Sequence, residues 1–522
     1  MNKKDETKRR FLLWKGRYES AKVCWQSQLR RFDECEELYR GTHRIEQMTE
    51  TNLHAPKKTR HCWNIVAENI ESEVDSTIPY PKVTARRKEN EDLALKIERM
   101  LRNEIDRINI EQINDIQERT VPVCGGAFYA SEWDETKQDH NRRGDNELKA
   151  IHPKQFVPQP GVYTDVDDME YFFLRLPTTK GYIMRRYGVD LKDVSEEEPD
   201  ARGENEAQEN DMVTLVTAFY KNNENGIGKM SWVGDVVLED FENYQKRRMR
   251  RCVKCGATEI AAGAILNEPT TDGTIPEGET RKRKKDECPY CGASKWEETE
   301  TDTKKLNIPM MIAGRMIGGA NPVLDEMGNV TLEAVAEVPY YKPDIFPIVM
   351  QKNIWVFGQL MGESDALKCR DQQNTLNRME QKIIDRICKA GAKITLPANT
   401  QICVDENDNE VIRIENPADK AMIDVYEFSG NLSSEMSYLS QVYEESRRTL
   451  GITDAFQGRR DTTAKSGAAK QFAAAQSAGR LESKRRLKQM AYQKIYERMF
   501  KNRLAYADEP RPITYIGEDG DV

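Results

Sequence analysis

From residue 8 to residue 40 the apolar positions Phe11, Trp14, Tyr18, Trp25, Leu29, Phe32 and Tyr39 recur at spacings of three, four or seven, and Gly41 follows. Such spacing keeps one face of an α-helix apolar, so the pattern predicts one long amphipathic helix with a glycine stop. Residues 63–78 carry the same period through Ile65, Val66, Ile70 and Val74, ending at the breaker Pro79-Tyr80-Pro81. Residues 90–118 carry it through Leu93, Ile97, Met100, Leu101, Ile105, Ile108 and Ile113.

The period then changes. Val121 to Trp133 and Glu147 to Val157 read as strands, Met169 to Leu176 as a further apolar run, and Thr178 to Tyr187 as a short helix. Arg202 to Asn210 is charged and reads as a loop. Val213 to Tyr220 and Lys229 to Leu238 are β-rich runs either side of Asn222-Asn223-Glu224-Asn225-Gly226, which predicts a hairpin. Residues 305–350 return to β character. A long helix is predicted from Ser364 to Lys389, short strands and loops over 391–428, and helices over 431–450 and from Thr463 to Leu504. The last helix has a small-residue side, Ala468, Ala469, Ala473, Ala474, Ala475 and Ala478, and a later stripe of Leu487, Met490, Tyr492, Ile495, Met499 and Phe500. No solenoid repeat is present. The order is helices, a β region, then helices again: an α+β chain.

Inside the β region stand Cys252-Val253-Lys254-Cys255-Gly256 and Cys288-Pro289-Tyr290-Cys291-Gly292. Two residues between cysteines let both thiolates reach one ion, and the following glycine permits the tight turn whose N–H groups face sulfur. Four thiolates at about 2.3 Å complete the tetrahedral sphere of Zn²⁺. Cys252, Cys255, Cys288 and Cys291 therefore predict a closed, structural zinc ribbon over about 250–298. The alternative is two separate reduced turns. A redox CxxC would open a helix in a βαβ unit, and that pattern is missing.

With 522 residues the chain is long enough for about three or four domain-sized units. It is 38% hydrophobic and 32% charged, with a mean hydropathy of −0.77, which suits a surface-rich subunit of a larger assembly better than a self-sufficient enzyme. The net charge of −9 argues against a general nucleic-acid coating role, which needs an excess of Lys and Arg. The cysteines outside the two pairs lack framework spacing, as expected in a reducing compartment. No signal-peptide core follows Met1, and no apolar run approaches the roughly 18 residues of a membrane span.

Catalytic motifs are sparse. Neither a P-loop nor a G-x-S-x-G elbow occurs, which argues against an ATP-driven motor in this chain. His54, His61 and Cys62 could form a metal corner, but their spacing matches no common site and they read better as surface residues. The run Asp165-Val166-Asp167-Asp168 could collect Mg²⁺ or Ca²⁺. It lacks the glycine and terminal glutamate of a calcium loop and reads better as a solvated turn before a strand. Two basic clusters flank the cysteine pairs, Lys246-Arg247-Arg248-Met249-Arg250-Arg251 and Arg281-Lys282-Arg283-Lys284-Lys285. They suit contact with nucleic acid or an acidic protein face, or equally a solvated loop. From Lys368 to Thr375 the predicted helix is almost wholly polar, which fits a helix bordering water or another subunit.

Several of these features, in this order, resemble the portal proteins of tailed bacteriophages over roughly residues 10–500. They are the aromatic first helix ending in Leu38-Tyr39-Arg40-Gly41, the Pro79-Tyr80-Pro81 stop, and Ile151-His152-Pro153 to Pro160. Next come Asp165 to Asp168 with Met169-Glu170-Tyr171-Phe172, then Phe346-Pro347-Ile348, Phe357-Gly358, and Gly362-Glu363-Ser364 with Gln372, Asn374 and Asn377. The last are Gly451-Ile452-Thr453, Gly458 and Ser466-Gly467-Ala468-Ala469. The four-cysteine ribbon is not general to that family.

The resemblance implies a portal-like α+β fold: helical wing and stem, a β-rich clip carrying the inserted ribbon, and a helical C-terminal crown. By analogy the wing would be 1–175, a first stem segment 176–210, the clip-like region 211–345, a second stem segment 346–390, a wing return 391–455 and the crown 456–522. It implies a non-enzymatic ring of about twelve copies at one capsid vertex, assembled in the host cytoplasm and carried in the virion. Double-stranded DNA would pass through the axis, while terminase and then tail or adaptor proteins dock on the ring, with no membrane partner. On that reading the basic clusters are expected outside the channel, where they do not brake DNA, and the polar face at Lys368–Thr375 is expected to become buried or channel-facing only in the oligomer. The alternative is a zinc-ribbon nucleic-acid enzyme, a recombinase or nuclease, which needs a carboxylate pair for metal ions that the sequence does not display.

Overall fold

The computed structural model describes residues 3–42, 62–139, 142–191, 212–222, 226–245, 248–254, 258–260, 295–300, 303–307, 323–324, 330–331, 335–339, 341–389, 391–395, 401–404, 410–413, 424–428, 432–452 and 467–507. The chain mixes helix and sheet. Helix α1, Lys3–Arg40, matches the first stripe, and Gly41 ends it at φ +76° with its N–H on the Leu38 carbonyl. Helix α2, Ile65–Glu73, is capped by the Asn64 side chain, which accepts the Ala67 N–H.

The period predicted as one helix over 90–118 is two, α3 (Glu91–Arg107) and α4 (Ile110–Cys124), because Ile108 is extended. Ile105 and Ile110 are both buried in one cluster. Five residues apart, they would point about 140° apart on a straight helix, so the break re-phases them. Helix α4 also runs through Val121-Pro122-Val123, read from sequence as the start of a strand, and stops at Gly125 with φ +83°.

Strands β1 (Gly126–Asp139) and β2 (Arg142–Ile151) follow, then β3 (Phe156–Pro158), β4 (Tyr171–Thr179) and α5 (Lys180–Tyr187). The Thr179 hydroxyl caps α5. Strands β5 (Met212–Lys221), β6 (Ile227–Val233) and β7 (Val236–Phe241) come next. The run predicted as one strand over 229–238 folds back at Gly234, whose φ of +56° permits the tight hairpin turn. Strands β3 to β7 pair in chain order as one antiparallel sheet, which crosses positions 175/176 and 210/211.

Farther along are β8 (Arg248–Cys252), β9 (Thr258–Ile260), β10 (Trp296–Glu300), β11 (Thr303–Asn307), β12 (Val323–Leu324), β13 (Val330–Thr331), β14 (Val335–Pro339) and β15 (Ile348–Lys352). Strand β15 returns to β1, giving the order β15-β1-β2. The predicted long helix is α6 (Asp365–Lys368) and α7 (Arg370–Lys389), with the Ser364 hydroxyl capping α6. Strands β16 (Gly391–Thr395), β17 (Gln401–Val404), β18 (Glu410–Arg413) and β19 (Asp424–Phe428) precede α8 (Ser433–Leu450) and α9 (Gly467–Tyr506). Among the described residues no helix is long and apolar enough to cross a membrane.

Two aromatic assemblies join these layers. Phe11, Trp14 and Tyr18 of α1 pack on Phe173, Tyr220 and Trp232 of the five-stranded sheet. Phe128 stacks on Phe156 at 4.1 Å, Phe156 on Phe172 at 5.2 Å and Phe172 on Phe219 at 5.3 Å, so a ladder of rings ties β1 to β3, β4 and β5. Each such contact adds about 0.5–1.5 kcal/mol beyond the area it buries.

Candidate functional site

Helix α9 is the hub on which most buried charge converges. Its apolar stripe of Ala491, Tyr492, Ile495, Tyr496 and Met499 packs against Leu101, Ile105, Tyr129 and Val349, which brings the chain's last helix onto its N-terminal half. Its cations then meet carboxylates from several elements. Lys484 bonds Glu73 at the end of α2 and Asp365 at the start of α6, the latter at 2.8 Å. Arg485 reaches Asp75 at 3.3 Å, and Lys488 reaches Glu118 of α4 at 3.2 Å and the Asp75 carbonyl at 2.8 Å. Lys494 pairs with Asp165 and Asp167, Arg498 with Asp167 at 2.6 Å, and Arg503 with the buried Glu104.

The Asp165–Asp168 run forms a turn before β4, as its sequence suggests, with Asp168 exposed and Asp165 and Asp167 half-buried. Asp165 accepts the Val166 N–H to start a short 3₁₀ turn, and Asp165 and Asp167 clamp α9. Sequence reading missed this ladder. Its signal was the pairing of cations four residues apart, Lys484 with Lys488 and Lys494 with Arg498, beside the apolar stripe.

Two carboxylates share Lys484, and the cost shows. Burial, with Asp365 adding to it against the pull of Lys484, pushes the Glu73 carboxyl up to about 7. The Asn353 amide donates to Asp365 at 2.6 Å, but Glu73 Oε1 and Asp365 Oδ1 are buried without a hydrogen-bond donor. A solvent-open cleft beside this pair is lined by Glu73, Asp75, Glu118, Lys352, Lys484 and Lys488 among others, and its lining holds no Ser, Thr, Cys or His. The arrangement fastens helices: Lys484 and Lys488 are spent on carboxylates, while Lys352 gives its Nζ to the Thr164 carbonyl at 2.7 Å.

Glu36 of α1, Cys124 of α4 and His152 after β2 bring their ligand-type atoms within 4.8 Å of one another. Their hydrogen bonding does not fit a metal. His152 Nδ1 accepts the Lys154 N–H at 3.3 Å, so the neutral ring carries its proton on Nε2, facing Glu36 Oε1 at 3.4 Å. Histidines that bind metal do the reverse, donating from the second nitrogen. Lys154 Nζ already sits 2.8 Å from the same carboxylate oxygen, and burial raises the Cys124 thiol well above its usual value. The trio is a polar staple between α1 and the β2 turn.

Of the predicted zinc ligands, Cys252 closes β8 and is buried, whereas Cys255, Cys288 and Cys291 lie outside the described residues. Strand β8 is the centre of a three-stranded sheet, with β9 on one side and β10 on the other, and the Val253 N–H bonds the Lys295 carbonyl at 3.2 Å. The register also bears on the basic cluster. Arg248 stands opposite Glu300, Arg250 opposite Glu298 and Glu259, and Arg251 opposite Glu297. Lys246, Arg247 and the Arg281–Lys285 cluster lie outside the described residues, as do His54 and His61; Cys62 meets Gln373 Nε2 at 4.0 Å.

The polar Lys368–Thr375 stretch is divided. Gln373 is fully buried in the single chain, where its side chain serves α2, while Arg370, Asp371 and Asn374 are exposed. The expectation that this polar face becomes buried or channel-facing only on assembly is corrected at Gln373, which is already buried in the single chain. No protein-family model and no curated protein matches this chain.

Proposed function

We propose that the chain is a portal subunit of a tailed bacteriophage, forming a ring at one capsid vertex through which double-stranded DNA is packaged and ejected. The observation that carries the reading is the order of its motifs, from Leu38-Tyr39-Arg40-Gly41 through Phe346-Pro347-Ile348 and Gly362-Glu363-Ser364 to Ser466-Gly467-Ala468-Ala469. The ion ladder supports it. Lys484, Lys488, Lys494, Arg498 and Arg503 of α9 pair with carboxylates of the same chain, and the net charge is −9. A channel wall along which DNA slides works best without unspent Lys and Arg, because every neutralised phosphate is a brake.

On this reading the chain is not an enzyme. Terminase and then tail or adaptor proteins dock on the ring, and a structural zinc ion holds the ribbon of Cys252, Cys255, Cys288 and Cys291. The test is the size and shape of the purified protein: mass photometry with negative-stain imaging should give closed rings of about twelve copies with an axial hole. A monomer that cuts DNA with Mg²⁺ would replace the portal reading with the nuclease.

A further inference from the structure

Nine residues between β15 and α6, Ile354 to Gly362, form a closed loop with a rigid base and an uncovered aromatic tip. The Glu363 N–H bonds the Ile354 carbonyl at 3.1 Å, and the Asn353 N–H bonds the Gly125 carbonyl at 3.1 Å. The Asn353 amide donates to the Glu363 carbonyl at 2.9 Å. Two glycines cross at this base. A Cβ on Gly362 would lie 2.5 Å from the Gly125 carbonyl oxygen, and a Cβ on Gly125 would lie 2.2 Å from that of Gly362. Leu360 and Met361 root the returning limb in the main core.

At the tip the Gln359 N–H turns back to the Val356 carbonyl, with Gly358 at φ +75°. Phe357 is 98% exposed and Trp355 is 56% exposed, the Trp355 ring lying under Lys352 Nζ at 4.0 Å. A large aromatic side chain left in water on a loop braced at both ends is a preorganised anchor. It binds without first paying to order its backbone.

We propose that this loop is the anchor by which each copy of the chain grips its neighbour in the ring, with Phe357 seated in an apolar recess of the next copy. The proposal rests on the portal reading and adds the contact that would join its subunits. Two observations favour a second copy as the occupant. From Ile354 to Gly362 no residue is charged, in a chain that is 32% charged with a net charge of −9. Copies of one acidic chain repel, so contact between them is cheapest through an uncharged surface, whereas an acidic or basic partner would be met with charge. A buried aromatic ring also removes only about 150–250 Å² from water, while a stable one-to-one complex needs roughly 1,200 Å² in total. Such an anchor suits a closed head-to-tail ring, where each copy both gives and receives it.

The experiment compares the full-length chain with Phe357→Ala and Phe357→Asp by mass photometry over a dilution series, together with a photo-crosslinking phenylalanine analogue at position 357. The side chain is almost wholly exposed, so the variants should melt like the wild type at concentrations where all are monomeric. The concentration at which rings fall apart should rise about tenfold or more for Phe357→Ala and further for Phe357→Asp. The crosslinker should yield a covalent pair of this chain. Wild-type rings with unshifted variants, or with no copy-to-copy crosslink from position 357, overturn the anchor and leave the ring reading standing. Wild type that stays monomeric at every concentration overturns the ring reading and this occupant together. Variants that assemble normally but lose retention of DNA replace the second copy with a nucleic acid.

Discussion

The Gln373 carboxamide oxygen accepts the backbone N–H of Ile65 at 2.9 Å, across 308 positions of sequence. The same oxygen takes the Val66 N–H at 3.3 Å, and the amide nitrogen donates to the Trp63 carbonyl at 2.7 Å and to Asn377 at 3.0 Å. A helix leaves its first N–H groups without partners of its own. For α2 that need is met partly by Asn64 and partly by a side chain of α7.

Gln373→Leu should strand the Ile65 and Val66 donors in a buried place. Each buried, unsatisfied group costs about 1–3 kcal/mol, so a loss on the order of 2–4 kcal/mol is expected. Chemical denaturation reads the loss. Hydrogen exchange should show the Ile65 and Val66 amides opening first; unchanged protection there would end the cap assignment.

Gly125→Ala should be worse tolerated than an ordinary surface change. The residue has φ +83°, and its Cβ would meet the Gly362 carbonyl oxygen at 2.2 Å. Left-handed backbone and a backbone collision each cost about 1–3 kcal/mol. A melting temperature within a degree or so of wild type would refute the crossing.

Stability should depend on pH through Glu73. Its carboxyl is raised from 4.5 to about 7, so the folded chain keeps a proton that the unfolded chain has already lost. The contribution of this group is full below the ordinary value and declines as pH rises from about 4.5 to about 7, with no further change once both states are ionised. Lys484, Asp365 and Lys368 are the charged groups that face it. Glu73→Gln should therefore flatten this part of the profile and leave the variant the more stable protein at about pH 8, with Lys484 still held by Asp365. The measurement is urea denaturation at several pH values; parallel profiles for variant and wild type would contradict it.

The zinc assignment predicts about one Zn²⁺ per chain by elemental analysis of protein prepared without chelator. Cys255→Ser should lose the metal and unfold residues 250–298 while the helical circular dichroism of the rest persists, since ligation and folding of such modules are one event. Protein without zinc would reduce the ribbon to two unconnected turns.

What the sequence determined by itself is what depends on neighbours along the chain. The stripe from Phe11 to Tyr39 with its glycine stop, the α5 helix after Thr179, the hairpin that joins β5 to β6 and the α8 helix all rest on a local period or a local turn, and all were legible. The break at Ile108 was not, because a helical period reads equally well on either side of a kink that only the core's geometry requires. Nor was the burial of Gln373, since a polar residue on a polar stretch shows its role only when the end of another helix is brought to it. The pairing of Lys484 with Glu73 and Asp365, and of Arg498 with Asp167, joins positions more than 100 apart. Charge along the chain says how many partners are needed. Which carboxylate meets which cation was decided by the packing of Tyr492, Ile495 and Met499 against the N-terminal sheet, which carries α9 to where its partners stand.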